Sequence, residues 1–153
     1  MRCRMPRRIL LSLGLGLIAF GSLAQAADEA GVIKVSKGSA FVERGASRVP
    51  ATVGAKVYAS DRLVTGADGS VGITLRDLTL LSAGPNSVVE IHKFSFDSTT
   101  HAGTIDAGVK RGTLSVVSGK IAKTTPENVR FTTPGSTLGV RGTEFIIDAG
   151  AGG

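Results

Sequence analysis

From Val32 onward, apolar residues fall at alternate positions in short runs, and clusters of glycine, proline, asparagine and aspartate separate these runs. Alternation is the period of a β-strand, whereas a helix repeats about every 3.6 residues. The pattern therefore predicts at least eight short strands. The clearest candidates are residues 32–35, 40–42, 57–63, 71–75, 78–81, 88–91, 113–117, 129–131 and 144–147.

Two clusters of turn-forming residues, 66–70 and 83–87, predict chain reversals, because glycine and asparagine accept positive φ and proline presets the turn. No segment after residue 27 shows a helical stripe. Many short strands must close on themselves or pack face to face, since long unpaired edges invite aggregation. We therefore predict an all-β fold, a single compact domain of short antiparallel strands. A sandwich, a roll and a short β-solenoid all satisfy the pattern.

The N-terminus has the organisation of a secretory signal peptide. Residues 1–8 carry four arginines and no acid, and residues 9–23 contain nothing more polar than serine and glycine. Ala24 and Ala26 then provide the small residues that signal peptidase requires, so we expect cleavage between Ala26 and Ala27. This divides the chain into a signal peptide (1–26), an all-β domain (27–148) and a flexible Gly/Ala tail (149–153).

Two other interpretations of the N-terminus fit less well. A retained membrane anchor needs about 20 apolar residues, and this run has about 15. A lipoprotein needs a cysteine directly after the apolar run, but Cys3 lies before it. We therefore expect a periplasmic protein without a transmembrane segment after cleavage.

Removal of the signal peptide changes the charge of the protein. The whole chain has 18 basic and 12 acidic residues, a net charge of +6, and four of the basic residues lie in the signal. The remainder has a net charge of +2, with no basic cluster beyond Lys110 and Arg111. A nucleic-acid partner is therefore not expected. The sole cysteine also leaves with the signal, which excludes disulfides and thiolate metal sites.

A search for catalytic chemistry finds little. The two histidines, His92 and His101, are not in a metal-binding spacing, and no G-x-S-x-G motif is present, so we expect no metal, no cofactor and no enzymatic activity. One catalytic alternative stays open, a small hydrolase that uses the carboxylates of Asp61, Asp77 and Glu90. The separation of two carboxylates depends on tertiary structure, which the sequence does not provide.

Residues 131–147 are unusual because Gly139 and Gly142 bracket a Val-Arg pair. Glycine at these positions indicates bulges, positive φ or a close backbone approach. Arg141 is then a candidate contact for an acidic partner. The alternative is a local role, in which Arg141 bonds backbone carbonyls or the carboxylate of Glu144 or Asp148.

This segment resembles the signature that closes the FecR domain, T-P-x-x-x-x-G-V-R-G-T-x-F. The matching residues are Thr133, Pro134, Gly139, Val140, Arg141, Gly142, Thr143 and Phe145. Earlier segments resemble the same family in order, namely residues 57–66, 69–81, 84–91 and 112–123, so the resemblance covers about residues 32–148. One departure lies at residues 76–79, where the family more often has a D-G turn, and we expect a looser or differently shaped turn there.

The resemblance implies an all-β module of the bacterial envelope. In the founding members, the domain lies on the periplasmic side of a transmembrane sensor that relays receptor occupancy to a sigma factor. Here no apolar run after the signal is long enough to span a membrane. The implied function is therefore a binding or scaffold module that recognises an envelope protein or glycan. The alternative is an accessory component of envelope-to-sigma-factor signalling. The signature residues would be structural or would contact the partner.

The signal-peptide interpretation predicts that the exported protein begins at Ala27. N-terminal sequencing and the intact mass of periplasmic protein measure this directly. Ala26→Phe should leave unprocessed precursor, because signal peptidase requires a small residue before the cleaved bond. Gln25→Phe, at the tolerant position between the two alanines, is the matched control. A mature N-terminus at any other residue would contradict the prediction.

Overall fold

The computed structural model describes residues 28–151. The predicted signal peptide and its cleavage positions, Ala26 and Ala27, lie outside the described residues, as do residues 152–153 of the predicted tail.

Thirteen strands form within the described residues, joined near the C-terminal end by one short helix, α1, and a single 3-10 turn, Pro126–Asn128. The strands are β1 (Glu29–Lys37), β2 (Ala40–Arg44), β3 (Ser47–Pro50), β4 (Lys56–Tyr58), β5 (Arg62–Thr65), β6 (Ser70–Leu75), β7 (Leu80–Ala83), β8 (Val88–Phe96), β9 (Gly103–Arg111), β10 (Thr113–Val117), β11 (Val129–Thr133), β12 (Ser136–Gly139) and β13 (Glu144–Asp148), and α1 is Lys120–Thr124.

The strands form two sheets. The six-stranded sheet has the order β13-β10-β7-β6-β1-β4, and the seven-stranded sheet has the order β12-β11-β9-β8-β5-β2-β3. All strand pairs are antiparallel except β9 and β11, which are parallel with Val129 opposite Ile105. A parallel pair requires a long crossover. Here the chain leaves β9, passes through β10 in the other sheet and returns through α1.

One hydrophobic core lies between the two sheets. Alternate side chains of both sheets point into it, as the sequence pattern predicts; Ile33, Ile73 and Leu114 of the six-stranded sheet and Leu63 and Phe131 of the seven-stranded sheet are all buried. Burial of each such side chain contributes about 1.5–3 kcal/mol. The all-β prediction is confirmed, and of the three proposed architectures the structure is a two-sheet sandwich.

One predicted strand, residues 57–63, is instead two strands in different sheets. β4 ends at Tyr58 and β5 begins at Arg62. Between them, Ser60 has a φ of 74°, and the buried carboxylate of Asp61 accepts a hydrogen bond from the Tyr58 amide at 2.9 Å. The carboxylate thus closes a tight corner. An alternating pattern continues across such a corner, so periodicity could not locate it.

The two predicted turns, 66–70 and 83–87, likewise connect strands of different sheets.

The sequence pattern missed three strands and the helix. Every residue of β3 and β12 is exposed, so neither strand has the buried alternate positions on which the prediction depends. β9 contains two glycines and begins at Gly103, which weakens a strand pattern. In α1 only Ile121 is buried, and one buried residue makes no helical stripe.

The turn between β6 and β7 is closed by a buried carboxylate, that of Asp77. Its Oδ1 accepts the Thr79 amide at 3.1 Å, and its Oδ2 accepts the Thr79 hydroxyl at 2.7 Å and the Ile121 amide at 3.2 Å. The Asp77 carbonyl also accepts the Lys120 amide, and the Thr79 hydroxyl oxygen accepts the Gly119 amide. The turn is therefore not looser, because these bonds tie its residues to one another and to the start of α1. The alternative, a differently shaped turn, stays a prediction.

Leu78 occupies the position where the family more often has glycine. Its φ is 69°, in the left-handed region, and its side chain is 58% exposed. A leucine in this conformation is strained, because its Cβ approaches the following carbonyl oxygen. The departure from the D-G pattern therefore costs backbone energy without loosening the turn.

The chain beyond β13 keeps contact with the sheet. The Ala149 amide donates to the Gly112 carbonyl at 2.9 Å, and the Gly112 amide donates to the Gly150 carbonyl at 2.7 Å. These bonds extend the pairing of β10 with β13 into the segment predicted to be a tail.

No helix among residues 28–151 combines the length and the hydropathy that membrane crossing by a helix requires.

Replacement of Leu78 with glycine should stabilise the protein. Relief of the left-handed strain outweighs the entropic cost of glycine, which gives a net gain of about 0.5–1 kcal/mol and a melting temperature about 3 °C higher. Thermal and urea denaturation of the mature chain measure both. Val53→Gly is the control, because Val53 is 64% exposed and has no positive φ. This variant should show no gain in stability. A Leu78→Gly protein no more stable than the wild type would contradict the strain argument.

Candidate functional site

The signature segment lies along one side of the sandwich, where both sheets end. β12 is the edge strand of the seven-stranded sheet, and β13 is the edge strand of the six-stranded sheet. The two edges are adjacent, because Phe131 of β11 packs against Phe145 of β13 in an edge-to-face pair with ring centroids 5.6 Å apart. The motif thus links the two sheets at this side through one continuous stretch of chain.

The first part of the motif forms a hairpin. β11 and β12 pair from Arg130 opposite Gly139 to Thr133 opposite Ser136, without a bulge. Pro134 and the residue after it make the turn, and the Thr133 hydroxyl donates to the Ser136 carbonyl at 3.3 Å. The motif residues Thr133 and Pro134 therefore have structural roles in closing this hairpin.

The second part of the motif leads from β12 to β13. Val140 is 9% exposed and belongs to the core, and the Thr143 carbonyl accepts the Ser118 amide at 2.8 Å. These two residues hold the loop at both ends. Arg141 between them is exposed, and no ion pair within residues 28–151 involves its guanidinium. The arginine side chains that donate hydrogen bonds within these residues are those of Arg44, Arg62 and Arg111. The alternative local role of Arg141, a bond to backbone carbonyls or to the carboxylate of Glu144 or Asp148, is therefore not the arrangement in the described chain.

The motif glycines face open space. A Cβ atom built on Gly139 or Gly142 would have no atom within 4 Å. Gly139 also has no positive φ and lies in a regular register. Our interpretation is therefore wrong for Gly139, whereas Gly142 has the predicted positive φ, at 158°. The empty space beside both glycines instead leaves room for an approaching molecule.

Two hollows flank the segment from Gly139 to Arg141. One has a volume of about 320 Å³, and Pro126, Glu127 and Val129 form its other wall. The second has a volume of about 280 Å³ and lies between the edges of the two sheets. Its lining combines the charged residues Arg141 and Glu144 with apolar ones, namely Leu138, Val140, Phe145, Ile146 and Ile147.

The three carboxylates of the hydrolase alternative have separate sets of partners. Asp61 is 1% exposed and binds the Arg44 guanidinium through both oxygens, at 2.8 and 2.6 Å. Asp77 is fully buried in the turn described above. Glu90 lies on the outer face of the seven-stranded sheet, beside a hollow of about 530 Å³ that neither Asp61 nor Asp77 lines. The structure therefore does not bring the three together as a catalytic group.

A row of alternating charges crosses the outer face of the seven-stranded sheet. The Glu90 carboxylate accepts a hydrogen bond from Arg62 Nε at 2.7 Å, and His92 Nε2 and Lys110 Nζ lie 3.1 and 3.7 Å from it. Burial alone would raise the pKa of Glu90, but the hydrogen bonds from Arg62 and His92 and the charges of Arg62 and Lys110 bring the pKa below its ordinary value of 4.5. The row stabilises the sheet through cross-strand pairs.

Neither histidine belongs to a built metal site in the described chain. His92 lies between Glu90 and Asp106, with Nδ1 3.3 Å from the Asp106 carboxylate. His101 lies in the loop before β9 and stacks on Phe96 with ring centroids 6.2 Å apart.

The fold and the exposed motif define an all-β domain whose signature lies at one open side of the sandwich. The family described as FecR protein matches residues 61–153, more than half of the chain, so the chain belongs to the FecR family. No curated protein and no solved structure gives a significant match. FecR proteins generally act in signalling from the cell envelope to a sigma factor, and their domains are typically periplasmic or associated with the envelope.

Glu90 should make stability depend on pH. Because its pKa is lower in the folded protein, its contribution is present above pH 4.5 and is lost as the pH falls through the folded pKa. We expect the difference in unfolding free energy between the wild type and Glu90→Gln to be largest near pH 6 and to shrink toward pH 3. Urea denaturation across this range measures it. Glu127→Gln is the control, because Glu127 is in no ion pair within residues 28–151. A difference in unfolding free energy that does not change with pH would contradict a lowered pKa of Glu90 in the folded protein.

Proposed function

We propose that the mature chain is a non-enzymatic periplasmic module that binds another envelope component through the signature segment. The observation that carries the proposal is the exposure of Arg141, a motif residue held between two anchored neighbours, Val140 and Thr143. Structural arginines normally bond a local acceptor, since the guanidinium has five donors. An arginine with its donors in solvent is suited to an acidic group on a partner.

The state of the carboxylates supports a role without catalysis. A general acid or base must reach substrate, and its pKa is usually tuned toward the working pH. Asp61 and Asp77 are instead buried and bonded to groups that keep the fold together. Glu90 has its pKa lowered by its cations, which is unfavourable for a general acid. The signalling character of the FecR family supports the same interpretation.

A second candidate is an accessory component of envelope-to-sigma-factor signalling. The family membership favours it, because FecR proteins generally act in that process. The two candidates differ in the identity of the partner. An outer-membrane receptor or a membrane-bound regulator of a sigma factor would indicate signalling, whereas a cell-wall enzyme, a structural protein or a glycan would indicate a scaffold.

The proposal predicts a specific partner in the envelope. Immobilised residues 27–153 should retain the same component from repeated periplasmic and membrane extracts, identified by mass spectrometry. Arg141→Ala should weaken retention about tenfold or more, because charged hydrogen bonds contribute about 1.5–3 kcal/mol, with little change in melting temperature. Arg48→Ala is the matched control, since Arg48 is 53% exposed on β3 at the opposite edge of the same sheet.

Two outcomes would overturn this proposal. The first is failure to retain any component reproducibly. The second is an Arg141→Ala protein that melts several degrees lower and still retains the partner as the wild type does, because Arg141 would then be a structural residue.

A further inference from the structure

The outer faces of the two sheets differ in charge. The seven-stranded sheet carries the row of alternating charges described above, whereas β6, β7 and β10, in the middle of the six-stranded sheet, carry no charged side chain. Interfaces between proteins are depleted of charge at their centre, so this face is a candidate interface. We call it the uncharged face, and its outward residues include Gly72, Thr74, Leu80, Ser82, Ser115 and Val117.

One row across this face has aliphatic side chains at both ends. The register aligns Ile146 of β13 with Ser115, Ser82 and Gly72 of the middle strands and then with Val35 of β1. Ile146 is 72% exposed and Val35 is 47% exposed. A Cβ atom built on Gly72 would lie 3.2 Å from the Cβ of Val35, so Val35 is on this side of the sheet. Because the residues between the two ends are small, another sheet can approach closely.

The β13 end of the face is acidic. Glu144 and Asp148 flank Ile146 at alternate positions of β13 and are exposed, and the strand carries no cation. Neither acid is in an ion pair within residues 28–151. Arg141 lines a hollow with Glu144 but belongs to the loop before β13, and Arg111, at the end of β9, donates to a backbone carbonyl. The carboxylates therefore remain available to a cation from outside.

The opposite end of the face carries lysines. β1 and β4 together contain three of them, Lys34, Lys37 and Lys56, and one acid, Glu29. Glu29 pairs with Lys56 at 2.8 Å, and no ion pair in the described part of the chain involves Lys34 or Lys37. The strands at the two ends of the face thus have opposite charge.

Two acids in loops near the lysine end do not pair with these lysines. The carboxylate of Asp68, in the turn before β6, accepts the Ser39 amide at 3.3 Å. Asp28 precedes β1 at the end of the strand remote from Lys37. Neither acid is in an ion pair between residues 28 and 151, so Lys34 and Lys37 keep their donors for a carboxylate from outside.

A two-fold rotation about an axis parallel to the strands, between β6 and β7, brings the uncharged faces of two copies together. The rotation keeps each row in place and reverses the order of the strands, so β13 of one copy lies over β1 and β4 of the other. Glu144 and Asp148 then meet the rows that end in Lys56 and Lys37, and Ile146 meets Val35. Sheets commonly pack face to face with nearly aligned strands, and two-fold symmetry is the commonest in oligomers.

We infer that the uncharged face is the interface of a homodimer in which the acidic end of each copy lies over the lysines of the other. One rotation satisfies the acids, the aliphatic ends and the lysines together. An unrelated partner would need the same order of base, apolar group and acid across about 24 Å. The inference goes beyond the proposed function and does not depend on it. The dimer would present two signature segments, one at each end of the interface.

The size of the face predicts a weak dimer. Six strands about 4.8 Å apart and about 17 Å long give each copy an area of roughly 400 Å². A standard interface buries about 800 Å² on each partner. We therefore expect a dissociation constant on the order of 100 µM.

Sedimentation velocity of residues 27–153 between about 10 µM and about 1 mM tests the dimer. The average mass should rise from that of a monomer toward that of a dimer. Ile146→Asp should raise the dissociation constant at least about tenfold, because it places a carboxylate over Val35. Val49→Asp is the matched control, since Val49 is 45% exposed on β3 of the other sheet, and it should leave the dimer unchanged. Melting temperatures establish that each variant is folded.

An exchange of charges tests the orientation of the two copies. Lys37→Asp and Asp148→Lys should each raise the dissociation constant about tenfold, because each places like charges together twice in the dimer. The variant with both changes should return to within about threefold of the wild type. Within one copy, β1 and β13 are separated by three other strands, so these two residues do not contact each other. Restoration therefore reports a contact between copies.

Four outcomes would overturn the inference. They are a monomer at every concentration, a dimer that Ile146→Asp leaves unchanged, a double variant no better than the single ones, and a monomeric wild type that retains an envelope component which Ile146→Asp releases. The last would make a different protein the occupant of the face. A monomer that still retains a partner through Arg141 would refute the dimer and leave the proposed function intact.

Discussion

The structure depends on one buried carboxylate, that of Asp77. No ion pair within the described chain involves it; its two oxygens accept hydrogen bonds from the amides of Thr79 and Ile121 and from the Thr79 hydroxyl. Burial of a polar group is costly unless it is hydrogen-bonded, so the buried donors and the Asp77 oxygens each depend on the other for a partner. The bonds connect the β6–β7 turn to the start of α1, forty residues later in the chain. Without them, both the turn and the first turn of the helix would lose partners.

This connection determines where the signature segment lies. The chain crosses from the six-stranded to the seven-stranded sheet through α1, and only this crossover allows β11 to pair with β9 in a parallel arrangement. β12 then folds back on β11 at the edge, and β13 returns to the first sheet. The exposed edge strand β12 thus takes its position from this crossover and from its pairing with β11.

Five charged residues of the domain differ in whether they have partners within the fold. Asp61, Asp77 and Glu90 are bonded within the fold. The sequence does not indicate this, because the residue type is the same whether a carboxylate closes a turn or acts on a substrate. Arg130 and Arg141 are free of such partners in the described chain. The motif identified Arg141 as a residue of interest from the sequence. Nothing in the sequence singles out Arg130, because its place opposite Gly139 depends on the register of β11 and β12.

The sequence by itself determined the all-β class, the positions of most strands and the family, because alternating burial and a continuous motif are properties of neighbouring residues. It also predicts an export signal and a binding role. Only the tertiary structure decided the two-sheet sandwich, the division of residues 57–63, and the fully exposed strands β3 and β12. β3 and β12 bury no side chains, so no alternation marks them. Their partners, and the open edge that β12 leaves, depend on contacts between residues far apart in the chain.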